Sequence, residues 1–251
     1  TFVNNLNVET ALTVAGSTIG ASLYEAGTGT DSIKPIAGTN LATGNCSVVG
    51  GGKSNTASGV YSTVAGGCSN KACNSCGTVG GGRLNCASGS AATISGGYCN
   101  KALGQFNTIG GGCKNNNCGA LSTIGGGYNN TIPNALPDDS RLYYGTIAGG
   151  DRNIVYSCHT FIGGGCLNKA CGDESTVSGG YDNCASGSQS AIGGGRGNAA
   201  EGINDFIGGG YANVTKGGYS TIGGGSGNRT NIGIGATVGG GQNNYVDHCH
   251  G

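Results

Sequence analysis

One pattern constrains this chain more than any other. A Val or Ile, a small residue and then Gly recur at a nearly fixed interval. The anchors are Val49, Val64, Val79, Ile94, Ile109, Ile124, Ile147, Ile162, Val177, Ile192, Ile207, Ile222 and Val238. Ten of the twelve intervals are fifteen residues, one is sixteen and one is twenty-three. Three residues after every anchor stands Gly, and six after it stands Asn, from Asn55 to Asn244. The unit reads Ser-Thr-(Val/Ile)-x-Gly-Gly-x-x-Asn-x-Ala-x-Gly-x-x.

Fifteen residues are too few for a helical hairpin, and no stripe of period 3.6 is present. The length suits one coil of a β-solenoid. Thr with Val/Ile gives a short strand, Gly-Gly a tight corner, Asn-x-Ala a second strand and the later Gly another corner. Coils stacked about 4.8 Å apart place like positions above one another. Val/Ile then form an internal aliphatic column, while Ala and Gly keep the coil narrow. The Asn column is expected to hydrogen-bond along the stack, as amide ladders do in cross-β structures. The expectation is an all-β parallel solenoid of about thirteen coils and about 60 Å.

Composition narrows the function. Of 251 residues 57 are Gly, charged residues are only 10%, and Lys+Arg 12 balances Asp+Glu 12. That balance removes the electrostatic drive toward nucleic acid or anionic membranes. No apolar run is long enough to span a bilayer, so membrane insertion is not expected. Collagen would need Gly at every third position and far more Pro than the three present. The repeat is not a calcium roll, which requires Asp, nor a phosphate loop, because no Gly-Lys-Ser/Thr follows the glycines. With His159, His248 and His250 the only histidines and no acidic residue recurring in register, no catalytic constellation is expected, and no cofactor. Met is absent, so the chain reads as a processed product or a piece of a longer one. Thr1 to Leu6 lack the basic and apolar regions of a signal peptide.

So thin a coil encloses little apolar area, and parallel homo-oligomerisation, as a trimer, would supply the missing burial. The Thr preceding nine of the thirteen anchors faces outward by strand alternation, with Phe161 and Phe206 among the residues that replace it. The one large break in register falls in residues 131–145, where Asp138, Asp139, Arg141, Tyr143 and Tyr144 accompany two of the three prolines. It reads as a loop thrown out from a corner, either a tolerated insertion or a recognition loop. Residues 1–46 alternate apolar and polar residues without the repeat and read as a β-structured shaft or adaptor, with the solenoid head occupying 47–251.

Two sets of side chains stand out. Cys68/Cys73, Cys113/Cys118 and Cys166/Cys171 are each written Cys-x-Asn-x-x-Cys, and a disulfide within one coil could staple that turn. Cys86 and Cys99, on adjacent coils, could also bridge. Reduced thiols filling outward positions, or metal binding, are the alternatives. Four residues after the anchors, Lys53, Arg83, Tyr98, Tyr128, Tyr181, Arg196 and Tyr211 share one edge. Tyr beside Arg or Lys at a common register could stack on sugar rings, or could simply cover the glycine corners.

The unit Ser-Thr-Val-x-Gly-Gly-x-x-Asn-x-Ala-x-Gly resembles the head repeat of trimeric autotransporter adhesins, whose usual unit is one residue shorter. Asn5-Leu6-Asn7-Val8 and Leu12-Thr13-Val14-Ala15-Gly16 look like shaft segments of phage and large-virus fibres, which often carry such repeats. The resemblance implies a left-handed β-roll in a trimeric surface fibre that contacts a host receptor or glycan. It also implies that His248 and His250, as His-x-His at the end of a threefold bundle, could direct six imidazoles at an axial metal ion such as iron, nickel or zinc. The expected role is thus an extracellular fibre or spike on a virion surface, held by a virion anchoring protein. A bacterial cell-surface adhesin passenger, a purely architectural fibril and an ice-binding solenoid are the alternatives.

Overall fold

The computed structural model describes residues 12–14, 17–19, 24–36, 38–134, 144–231 and 234–247. Every regular element among them is a strand, most only two residues long. The dipeptides ending in an anchor, from Val48–Val49 to Thr237–Val238, stack in parallel, outward residue on outward residue and anchor on anchor. The dipeptides that follow each Asn, from Leu41–Ala42 to Tyr245–Val246, form a second parallel ladder. A third ladder contributes one residue per coil, four positions past each anchor, from Lys53 to Gln242. The chain is therefore a parallel β-solenoid of about thirteen turns, with three ladders around each coil.

The core follows from the alternation of a two-residue strand. The anchors are fully buried, while the residue before each stays half-buried or exposed on the outer side. Across the coil Ala57, Ala72, Ala87 and Ala102 face them, also fully buried. A large residue opposite a small one is what a coil this narrow can fill at ordinary interior density. Ile132 and Val155 take the Ala position on either side of the long insertion. Asn117 takes it once and is satisfied internally. Its Nδ2 donates to the carbonyls of Thr108 and Ser122 at 3.3 and 3.0 Å, and the Ser122 hydroxyl donates to its Oδ1 at 2.6 Å.

The repeat Asn bonds along the stack as expected, but chiefly to backbone rather than to the next amide. Asn115 is typical. Its Nδ2 donates to the Gly111 carbonyl of its own coil at 2.9 Å and to the Gly127 carbonyl of the next at 3.0 Å. Its Oδ1 accepts from the Asn130 backbone N–H at 2.9 Å. The same three bonds recur from Asn55 to Asn228. Amide-to-amide contact is a minor addition, as where Asn183 Nδ2 reaches Asn168 Oδ1 at 3.2 Å. The cause is the Gly-Gly corner, where two carbonyls per coil lie within reach of the interior: one, as at Gly111, has no ladder donor, and the other, as at Gly127, accepts a ladder N–H and has a lone pair to spare. The second corner glycine cannot be replaced: Gly112 has φ of +84°, and a Cβ there would lie 2.2 Å from the Gly127 oxygen.

Stacking begins before the first anchor, so the boundary expected near residue 46 falls inside a coil. Ile33 pairs in parallel with Val48, and Ile33–Pro35 pairs antiparallel with Tyr24–Ala26. Asn40 already accepts from the Asn55 N–H at 2.9 Å and donates to the Gly52 carbonyl at 2.8 Å. In this turn Lys34 holds the anchor register, and its ammonium pairs with Glu25 of the capping strand. Farther out, Leu12–Val14 and Ser17–Ile19 form an antiparallel pair. At the long insertion Ile124 still stacks on Ile147, and Thr131–Ile132 stays in the second ladder.

Replacing Asn115 by Ala strands the Gly111 carbonyl and the Asn130 N–H, leaves the Gly127 carbonyl only its bond from the Cys113 N–H, and should cost about 2–4 kcal/mol of unfolding free energy. Asn116→Ala, half-buried on the outer side of the adjoining strand, should stay within about 0.5 kcal/mol. Urea denaturation of the two variants checks the difference.

Candidate functional site: the tyrosine and arginine corner

The third ladder positions the side chains of interest. Each of its residues donates its N–H to the next coil's corner glycine, as Tyr98 does to Gly112 at 2.9 Å. The following residue is commonly left-handed, Lys114 at φ of 59° and Asn129 at 52°, so the chain turns sharply just after the rung. Ladder side chains thus stand on an outside edge, one per coil. The order from residue 53 is Lys53, Cys68, Arg83, Tyr98, Cys113, Tyr128, Asp151, Cys166, Tyr181, Arg196 and Tyr211.

The expected Tyr and Arg residues do meet along this edge. The Arg83 guanidinium lies 5.9 Å from the Tyr98 ring centre. Arg196 sits between two tyrosines, 5.2 Å from the Tyr181 ring and 5.9 Å from that of Tyr211. Lys114, which the spacing alone did not single out, joins them at 5.6 Å from Tyr128. The Tyr128 hydroxyl beside it holds its ammonium above the usual lysine range. Tyr98, Tyr128 and Tyr181 each remain between 40% and 44% exposed, and Tyr211 is 55% exposed, so their rings are open to a ligand. Between the two tyrosine groups Asp151 pairs with Arg152 at 2.9 Å, which holds its carboxyl below the usual range. The edge therefore offers aromatic faces flanked by cations, interrupted by one ion pair.

A second corner was less legible. Three residues before an anchor, the chain turns again through left-handed residues, among them Tyr61, Phe106, Leu121, Tyr144 and Tyr219. All five are exposed. Tyr144, expected within the recognition loop, instead takes this corner register and stacks on His159, ring centres 5.0 Å apart. The shared fifteen-residue register of Tyr61, Phe106 and Leu121 was the available signal. Asp138, Asp139, Arg141 and Tyr143 lie outside the described residues, as do His248 and His250.

The cysteines lie differently from the expected staples. Among the described residues none forms a disulfide. Cys68 stands on the corner ladder, its thiol 3.6 Å from the Ser69 hydroxyl. Cys73 lies past the strand Lys71–Ala72, after the turn at Ser69, and is the diagonal neighbour of Cys86 on the next coil. Cys166 is 3.5 Å from Asp151 of the coil below, and Cys171 meets Cys184 of the coil above. Cys118 donates to the Asn116 side chain at 3.6 Å, while Cys113 sits between Tyr98 and Tyr128 on the corner ladder. The structure thus pairs Cys86 with Cys73 rather than Cys99. A corner separates the two cysteines of each within-coil motif, whereas stacking brings outward residues of neighbouring coils together.

No protein-family model matches the chain, and no curated protein resembles it in sequence.

Arg196→Ala removes two ring contacts at exposed positions and should lower stability by only about 1 kcal/mol. The far-ultraviolet circular dichroism spectrum should stay unchanged. Collapse of that spectrum would show that the edge is part of the framework rather than a surface available for binding.

Proposed function

We propose that the chain is the exposed solenoid of a virion-surface fibre or spike, assembled as a parallel homotrimer, that attaches to a host receptor or glycan along its Tyr–Arg corner. The observation that carries this reading is the repeated display of open tyrosine rings beside cations on one edge of a regular rod. Tyr98 and Tyr128 are separated by one intervening rung, as are Tyr181 and Tyr211, which is roughly 10 Å. An extended chain of sugar rings could lie along such an edge, its apolar ring faces on the tyrosines and its hydroxyls or acidic groups toward Arg83, Lys114 and Arg196. A rod whose backbone is fixed by continuous ladders holds these groups without the ordering cost of a loop.

The outer side of the first ladder supports assembly with further copies. Its Thr column, including Thr63, Thr78, Thr93 and Thr108, runs beside a column of Gly, Ala and Ser such as Ala65, Gly80, Ser95 and Gly110. Even the large residues lie low: the Phe161 ring passes over Gly163, and that of Phe206 over Gly208. A side of such low relief lets a second rod approach closely and cover aromatics that are otherwise 40% and 44% exposed.

Mass photometry of the purified chain should give a particle of three 24.3 kDa subunits, and a monomer at micromolar concentration would remove the trimer. On a glycan array the Tyr128→Ala, Tyr181→Ala double variant should lose at least about tenfold in affinity for whatever the parent retains. Undiminished binding would remove the corner as the contact. Immunogold labelling that decorates bacterial cells instead of virions would move the fibre to a cell surface.

A further inference from the structure

Two places on the outer side of the second ladder share one arrangement. In the first, Lys71-Ala72-Cys73 lies on one coil and Asn85-Cys86-Ala87 on the next, with Cys86 directly over Lys71. In the second, Lys169-Ala170-Cys171 lies below Asn183-Cys184-Ala185, with Cys184 directly over Lys169. Because side chains alternate, Cys73 and Cys171 stand on the same outer side as the lysines two residues before them. Each is therefore the diagonal neighbour of the cysteine on the rung above, and in both places each thiol shifts the titration of the other. Cys73 is exposed and the other three are half-buried, so a small reagent can reach them.

We propose that Cys73–Cys86 and Cys171–Cys184 are two cross-coil thiol pairs that a small-molecule disulfide oxidises to covalent staples between neighbouring rungs. Neither pairing is the within-coil bridge that the Cys-x-Asn-x-x-Cys spacing suggests, and the inference stands whether or not the chain is an attachment fibre. The chemistry balances as thiol–disulfide exchange. The thiolate of one cysteine attacks the external disulfide, forming a mixed disulfide and releasing one small thiolate. The second cysteine gives up its proton to that thiolate and attacks the mixed disulfide, closing the protein bond and releasing the second small thiolate, which takes up from solvent the proton that the first cysteine had given to it. The protein loses two hydrogens per staple and the reagent gains them.

The surroundings favour the first step. The Cys86 thiol, helped by the Ser58 hydroxyl and the Lys71 charge, holds the Cys73 pKa down to about 6 against the effect of burial. The Cys171 thiol, together with the Lys169 charge, lowers Cys184 to about 7. Each pair thus supplies a thiolate near neutral pH and a protonated partner within reach of it. Cys118 is a built-in control. It occupies the register of Cys73 and Cys171, but the partner position on the next rung holds Thr131, and burial pushes its thiol pKa up.

The full chain should be incubated with oxidised glutathione, alkylated and mapped by mass spectrometry without reduction. The expected map contains the Cys73–Cys86 and Cys171–Cys184 links and a loss of four of the thirteen thiols. Cys118 should carry no link to another cysteine, and dithiothreitol should reverse both bonds. Cys86→Ser should leave Cys73 as the glutathione adduct while Cys171–Cys184 still forms. Thr131→Cys should add a third link, to Cys118. Alkylation of all four cysteines after oxidation, or a link from Cys73 to Cys68, would overturn the proposal. If Cys86→Ser fails to fold, the Cys171–Cys184 link in the parent chain and the added link in Thr131→Cys still decide between the two outcomes.

Discussion

The structure depends on one side chain doing three jobs in every coil. A solenoid this thin has to turn its backbone through a tight corner, and at that corner one carbonyl per coil leaves the ladders that satisfy the others. Asn is the residue that fits. It has two amide hydrogens for the two corner carbonyls, an oxygen for the next coil's N–H, and a reach short enough to do this from inside. Asp would bring a charge and no donor, and Gln a longer arm that the narrow interior has no room for. The buried Val/Ile column could be built from several residue types; the Asn column admits no such exchange.

The other regularities follow from that column. Once the corner is held, the Gly before it must take a positive φ with another backbone in contact, and the strands on either side are left only two residues long. A two-residue strand has one inward and one outward side chain, so the interior receives Val or Ile on one side and Ala on the other. Asn117 is a polar exception in the Ala column whose amide is satisfied by Ser122 and by the carbonyls of Thr108 and Ser122, whereas the buried hydroxyls of Thr215 and Thr230 in the same column have no partner among the described residues.

Most of this architecture was readable from spacing, because a repeat that stacks on itself converts sequence register directly into spatial neighbours. Anchor on anchor, Asn on Asn and Tyr181 beside Arg196 all follow from counting by fifteen. What counting missed is diagonal. Cys73 and Cys86 are thirteen residues apart, a rung less two positions, and reading each coil by itself joins Cys73 to Cys68 instead. Lys114 was missed for a related reason: it sits one position past the ladder and reaches Tyr128 diagonally on the following rung. The N-terminal start was hidden because Lys34 stands where an aliphatic anchor is expected, made compatible with a half-buried place by Glu25. The ladder bonds of Asn40 and the pairing of Ile33 with Val48 reveal that the coil has already begun.

Register is held across the long insertion, with Ile124 stacked on Ile147 as though nothing intervened. Each turn answers only to the turns above and below it, so the molecule's reach grows in steps of a single coil height, about 4.8 Å. Duplicating or deleting one unit alters how far the tip stands from the base while leaving every remaining turn in the same environment. Copy number is therefore a ruler, and tandem recombination can lengthen or shorten the rod without new packing having to be found.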